Sequence, residues 1–264
     1  YIPLPNTLHK EWVIKAAEKG KHVLCEKPAA LSSTDFLEMK EACEKHGVLF
    51  MEAFMYQFQP QHNRVKEIIQ SGEIGKVRHI RSTFTFQLDF KEGKDNIRLN
   101  PELGGGSIWD VGCYCIHSTR FILDQEPKGV YVTGEVHPEF GVETKSAGIL
   151  TFEGGVTASF DCSFEQPMTE KYEISGTKGS IVVPYAFRPD KREGSIAEIY
   201  IVNEKGEERK EELAGNQYIF QVEHFSDCVL SGNQPSYSAD LTLNNIKTIE
   251  ACYESLRQQA PISL

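Results

Sequence analysis

Short apolar strand segments alternate with amphipathic helical segments along residues 1–58, and this alternation leaves the chain few folds to choose from. Tyr1-Ile-Pro reads as a strand end. Thr7 to Lys19 reads as a helix with Trp12, Val13, Ala16 and Ala17 on one stripe, and His22 to Cys25 as the next strand. Ser32 or Ser33 is placed to cap a second helix carrying Phe36, Met39, Ala42 and Cys43; Gly47 marks its stop, and Val48 to Ala53 is a third strand. A βαβαβ run closes as a parallel sheet, because strands that all point one way need crossovers between them. Ligands of such sheets bind in the crevice beyond the carboxyl ends of the strands.

The pattern changes after residue 58. A helix around Val65 to Gln70 and a strand from Val77 to Leu88 lead into a charged irregular segment, Asp89 to Leu103, placed to border a site. Gly104-Gly-Gly-Ser opens a helix to about Leu123. Strands then recur near Val130, Ile149, Val156, Tyr172, Ile181 and Ile199, punctuated by Glu153-Gly-Gly and Thr177-Lys-Gly, and two helices, Tyr218 to Leu230 and Asp240 to Gln258, close the chain. The expected fold is therefore α/β: the C-terminal part of a Rossmann-type doubly wound domain (residues 1–58), then an α+β domain (residues 59–264) with a large, mainly antiparallel open sheet. The last helix is placed to pack back on the first part. The sheet is expected to expose an apolar face that pairs subunits into a homodimer or homotetramer.

Charge narrows the partners. A net charge of −10 without any basic run lacks the electrostatic term that holds nucleic acid or anionic membranes, so neither is expected as a partner. No stretch reaches the roughly 20 apolar residues of a membrane span, and a cytoplasmic protein is expected. Seven scattered cysteines make no paired framework and read as reduced thiols. Cys113, Cys115 and His117 invite a zinc reading, but positions two apart on a helix do not share a face, and no metal is expected.

No Gly-x-Gly-x-x-Gly follows an opening strand; Gly104-Gly105-Gly106 follows a loop instead, where it is expected to let the backbone pass closely under a ligand. The phosphate-binding first βαβ region is therefore expected upstream of Tyr1, as roughly 60 further residues. Glu26-Lys27-Pro28 ends a strand. Proline biases the residue before it toward extended backbone, which aims Lys27 out of the sheet's carboxyl edge, although a lysine there is more often merely solvated. Asp110, Tyr114 and His117 fall at i, i+4 and i+7 of an otherwise apolar helix. Local alternatives exist: Ser107-x-x-Asp110 fits a capping box, Tyr114 suits a core aromatic, and His117 a packed, hydrogen-bonded histidine.

In combination these segments resemble a known family, the glucose-fructose oxidoreductase, inositol dehydrogenase and rhizopine catabolism (Gfo/Idh/MocA) group. The matching stretches are Pro5-Asn-Thr-Leu-His9, Gly20-Lys-His-Val-Leu-Cys-Glu-Lys-Pro28, Gly104-Gly-Gly-Ser-Ile-Trp-Asp-Val-Gly-Cys-Tyr114 and Gly176-Thr-Lys-Gly179. The resemblance implies that Lys27, Asp110 and Tyr114 are the catalytic residues. It also implies that Pro5, Asn6, His9, Glu26 and Lys27 line the nicotinamide and ribose of NAD or NADP. Tyr114 stands where inositol dehydrogenases carry histidine, as in the branch of glucose-fructose oxidoreductase, xylose dehydrogenase and dihydrodiol dehydrogenase. Lys27, Arg98, Asp110 and Tyr114 are the substrate-binding candidates, for a sugar, polyol or diol.

The implied reaction is hydride transfer between nicotinamide and a secondary alcohol, with a side chain taking or giving the proton. Lys27, partly desolvated against the cofactor, is expected to move toward neutral pH, with Tyr114 relaying or donating the proton and Asp110 orienting the substrate or holding the lysine. The rival from another class is a catalytically silent dinucleotide- or sugar-binding regulator on the same scaffold.

Overall fold

The computed structural model describes residues 1–264. Its first elements are α1 (His9–Glu18), β1 (Val23–Cys25), α2 (Ser33–Lys45) and β2 (Phe50–Glu52). β1 and β2 pair in parallel with Leu24 opposite Met51, and Ile2 bridges Cys25 in parallel, so three segments run in one direction. Every residue of β1 and β2 is buried. α1 turns His9, Val13 and Ala17 inward, whereas Trp12 is 47% exposed. The predicted stripe is thus narrower than expected, because the buried positions follow i, i+4, i+8 and Trp12 lies a hundred degrees to one side. Ser32 caps α2, its Oγ accepting from the Asp35 amide at 3.1 Å, and Gly47 (φ 63°) follows its end.

Beyond α3 (Pro60–Gln70), the strands β3 (Val77–Gln87), β4 (Gly129–Val136), β5 (Glu143–Thr151), β6 (Thr157–Ser163), β7 (Glu165–Gly176), β8 (Ser180–Val183), β9 (Ile196–Val202), β10 (Glu208–Ala214) and β11 (Ile262–Ser263) form one sheet. Its order is β10-β9-β8-β7-β3-β6-β5-β4-β11, antiparallel throughout except for the parallel pair β3–β6. β10 and β11 extend the sheet past the predicted strands. β10 reads Glu-Arg-Lys-Glu-Glu-Leu-Ala, with little apolar alternation to detect, since an edge strand is kept from further pairing by charge.

One face carries α3, α4 (Cys113–Leu123) and α6 (Ala239–Gln258). On that side Ile80, Phe84, Phe160, Tyr172 and Ile174 enter a core continuous from Val13 to Cys252. α5 (Gln217–Ser231) packs beside the turn that follows β2. α6 also reaches α2, through Lys40 to Asp240 at 2.6 Å and the Ser33 amide to Glu250 at 2.9 Å. The open face departs from expectation: it is mixed rather than apolar. Tyr131, Ile149, Ser159, Arg81, Glu173, Val182, Tyr200 and Lys210 are successive cross-strand neighbours, with Arg81 beside Glu173 at the centre, Tyr131 and Ile149 to one side, and Val182 and Tyr200 to the other before Lys210 ends the row. No helix is long and apolar enough to cross a membrane.

Candidate active site

Glu26-Lys27-Pro28 leaves β1 at its carboxyl edge, with the Lys27–Pro28 peptide cis. Facing it is the glycine turn. The Gly105 and Gly106 amides donate to the Asn100 and Arg98 carbonyls at 2.9 and 3.0 Å, folding the chain back on the charged loop. The helix expected from Gly104 starts instead as a widened π-type turn, Ile108–Gly112, before α4. Ser107 makes no capping bond, so the capping-box alternative for Asp110 is not what forms.

The Asp110 side chain turns toward two cations. Lys27 Nζ donates to the Asp110 carbonyl at 2.6 Å and to Oδ1 at 3.2 Å, while Arg98 Nε donates to Oδ2 at 2.6 Å. Burial is the largest single influence and opposes the lysine's charge, but the Asp110 carboxylate, together with Tyr114 and Cys113, outweighs burial, so the ammonium is held above the ordinary lysine value. Its direction here is upward, away from the neutral lysine expected against the cofactor. Burial likewise works against the Asp110 carboxylate, and Lys27 and Arg98 overcome it, keeping Asp110 below the ordinary aspartate value.

Lys27 Nζ also lies 4.9 Å from the centre of the Tyr114 ring. That ring packs among Phe54, Phe84 and Phe187, and its hydroxyl meets only the Met55 sulfur at 3.5 Å, a weak acceptor. Burial pushes the phenol upward, with Lys27 pulling it back in part. His117, one turn on, is buried and bonded through Nδ1 to the Tyr56 hydroxyl at 2.5 Å, apart from this cluster. Cys113 Sγ faces the Asp110 carbonyl at 3.5 Å.

Lys27, Asp110, Arg98 and Tyr114 line one cleft of about 300 Å³, together with Glu26. Of the other predicted cofactor residues, Pro5 and Asn6 are half-buried, and Asn6 Nδ2 donates to the Gly104 carbonyl at 3.1 Å, tying the opening turn to the glycine turn. His9 is placed differently from expectation. It is fully buried with its ring nitrogens 2.9 Å from the Pro28 carbonyl and 2.8 Å from that of Leu4, and so braces two loops. The cleft's far wall, Arg188, Lys191, Met168 and Tyr218, was not anticipated. These residues come from β7, α5 and the loop after β8, and no local pattern sets them apart from surface residues.

The residues match two family models: an oxidoreductase family NAD-binding Rossmann fold over residues 1–54, and a GFO/IDH/MocA C-terminal domain over residues 62–182. D-xylose 1-dehydrogenase (NADP(+)) 2 of Haloferax volcanii is 37% identical over 264 residues, covering all of this chain and 79% of the relative. A dTDP-3,4-didehydro-2,6-dideoxy-alpha-D-glucose 3-reductase of Actinomadura kijaniata is 28% identical, covering 95% of this chain and 74% of its own. Among solved structures, aldose-aldose oxidoreductase from Caulobacter crescentus, complexed with glycerol, superposes with a TM-score of 0.90 at 30% identity, covering 98% of this chain and 77% of that one. Fold and matches together define a nicotinamide-dependent oxidoreductase, acting with NAD or NADP in sugar chemistry. More narrowly, the chain belongs to the Gfo/Idh/MocA family.

Proposed function

We propose that the chain transfers a hydride between NADP or NAD and a hydroxyl-bearing carbon of a small sugar, polyol or diol, with Lys27, Asp110 and Tyr114 as its catalytic set. The observation that carries this reading is one cleft holding a charged lysine and a tyrosine hydroxyl without a strong partner. The 37% identity to a xylose dehydrogenase that uses NADP makes an aldopentose and NADP the first pair to try.

Glu26 and Lys27 line the cleft at the strand ends, a carboxylate and an ammonium that suit ribose hydroxyls and a carboxamide, so this edge fits a nicotinamide nucleotide. Pro5 and Asn6 would hold it beside them. When bound, the nicotinamide supplies the hydride acceptor or donor. Asp110 holds Lys27 charged, and Lys27 in turn stabilises negative charge growing on the substrate oxygen. Tyr114 exchanges the proton at that oxygen through Oη, giving it up in reduction and taking it as phenolate in oxidation, and Lys27 beside its ring steadies the phenolate. Arg98 fixes the other Asp110 oxygen and borders the substrate.

Lys27→Met tests this reading. It keeps most of the aliphatic stem, and kcat is expected to fall roughly 10²–10⁴-fold with cofactor affinity largely kept. Adding Tyr114→Phe should cost less than the product of the two single losses, because groups acting as a unit are not additive. Near-normal kcat for Lys27→Met would overturn the assignment. The silent-regulator alternative requires that no sugar or diol produce stoichiometric reduced nicotinamide.

We also propose a homodimer or homotetramer paired through the open face of the large sheet. The row from Tyr131 to Lys210 supports this, since a two-fold axis through its middle would set the apolar residues on either side and the Arg81–Glu173 pair against their counterparts.

A further inference from the structure

We infer that Glu52 and Glu143 are positioning residues that aim Lys27 and Asp110 at each other, an inference resting on the reading of those two as the reacting pair. Glu52 ends β2, is fully buried, and accepts the Ala29 amide at Oε1, 2.7 Å away, two residues after Lys27. Glu143 opens β5, is 4% exposed, and accepts the Ile108 amide at 2.9 Å, two residues before Asp110. Each catalytic loop is thus pinned by one buried carboxylate at the same remove from its catalytic side chain. Neither glutamate lines the cleft.

Glu143 holds more than one donor. The Tyr253 hydroxyl of α6 donates to the same Oε1 at 2.7 Å, and the Tyr253 ring stacks on Trp109 at 5.5 Å, so sheet, catalytic turn and closing helix meet at one carboxylate. That carboxylate also fills the space beside Gly106, where an added Cβ would lie 2.5 Å from Oε1. A backbone amide needs only a neutral acceptor, and a buried carboxylate is costly without a counter-ion. The contact served is narrow: Lys27 Nζ to the Asp110 carbonyl at 2.6 Å and Oδ1 at 3.2 Å. A displacement of about 1 Å at a reacting centre costs on the order of 10²-fold in rate.

The experiment compares Glu52→Met and Glu143→Met with Glu52→Gln and Glu143→Gln in the protein loaded with its cofactor. Thermal melts and cofactor titration run alongside the kinetics, as does Lys27→Met. The methionine variants should lose about 10–100-fold in kcat, with cofactor affinity within about threefold of the parent, whereas the glutamine variants recover to within about threefold. Folded methionine variants with near-parental kcat overturn the inference. So do glutamine variants as slow as the methionine ones, because the amide oxygen still meets the backbone donor. If a methionine variant does not fold, Glu52→Asp and Glu143→Asp decide: a folded aspartate variant should be slowed, and one at parental kcat overturns the inference. A Lys27→Met enzyme that keeps its turnover removes the underlying reading. One that loses turnover while the glutamate variants keep theirs removes only the positioning role.

Discussion

Lys27 and the buried glutamates show opposite outcomes of the same burial. Lys27 meets a carboxylate and stays charged; Glu52 and Glu143 meet no cation at hydrogen-bond distance, and burial pushes both up to about 7 against the pull of the backbone N–H groups. Their folded values lie above the ordinary 4.5, so the native state binds protons that the unfolded chain has released. Stability from this source is complete below 4.5 and falls as pH rises through about 7. His62, pushed down to about 3 by burial, and His117, pushed down likewise, act in the other direction as pH rises through the ordinary 6.5. A difference measurement separates them. Urea unfolding should show a Glu52→Gln, Glu143→Gln double variant gaining roughly 1–3 kcal/mol over the parent near pH 8, with the gap narrowing toward about pH 5. A gap independent of pH would mean that these carboxylates do not titrate in this range.

The decisive element is the glycine turn rather than any helix or strand. Gly106 sits at φ 119°, in the left-handed region, and its missing Cβ makes room for the Glu143 carboxylate. Gly106→Ala therefore meets both backbone strain and a steric conflict, and should cost roughly 1–3 kcal/mol in stability. Because Asp110 follows four residues later, with its amide bonded to the Gly106 carbonyl at 3.1 Å, kcat should fall as well. Parental stability and turnover in Gly106→Ala would show that the turn tolerates rearrangement. The sequence made the run of glycines visible as a place of close backbone approach. It did not reveal that the approaching group is a carboxylate from residue 143, because that meeting depends on the sheet carrying Glu143 under the turn.

For the whole molecule, the large sheet sets both the cleft wall and the face proposed to meet a second copy. Sedimentation of the parent at micromolar concentration should show a dimer or tetramer. Arg81→Glu, which places like charge beside Glu173 in the middle of the row, should shift the population toward monomer. A parent that sediments as a monomer would leave the sheet face without this role.

The sequence by itself determined the alternation of parallel-sheet strands and helices, the strand end that carries Lys27, the sites of most later strands and the close backbone turn before Asp110. These follow from periodicity, proline and glycine, whose effects act over a few residues and are therefore written locally. Tertiary structure alone decided that Lys27 and Asp110 meet across 83 positions of chain, that His9 is spent on two carbonyls, and that Arg188 and Lys191 wall the cleft. It also decided that Lys27 stays charged, since a pKa depends on neighbours in space, and residues this far apart become neighbours only once the elements have packed.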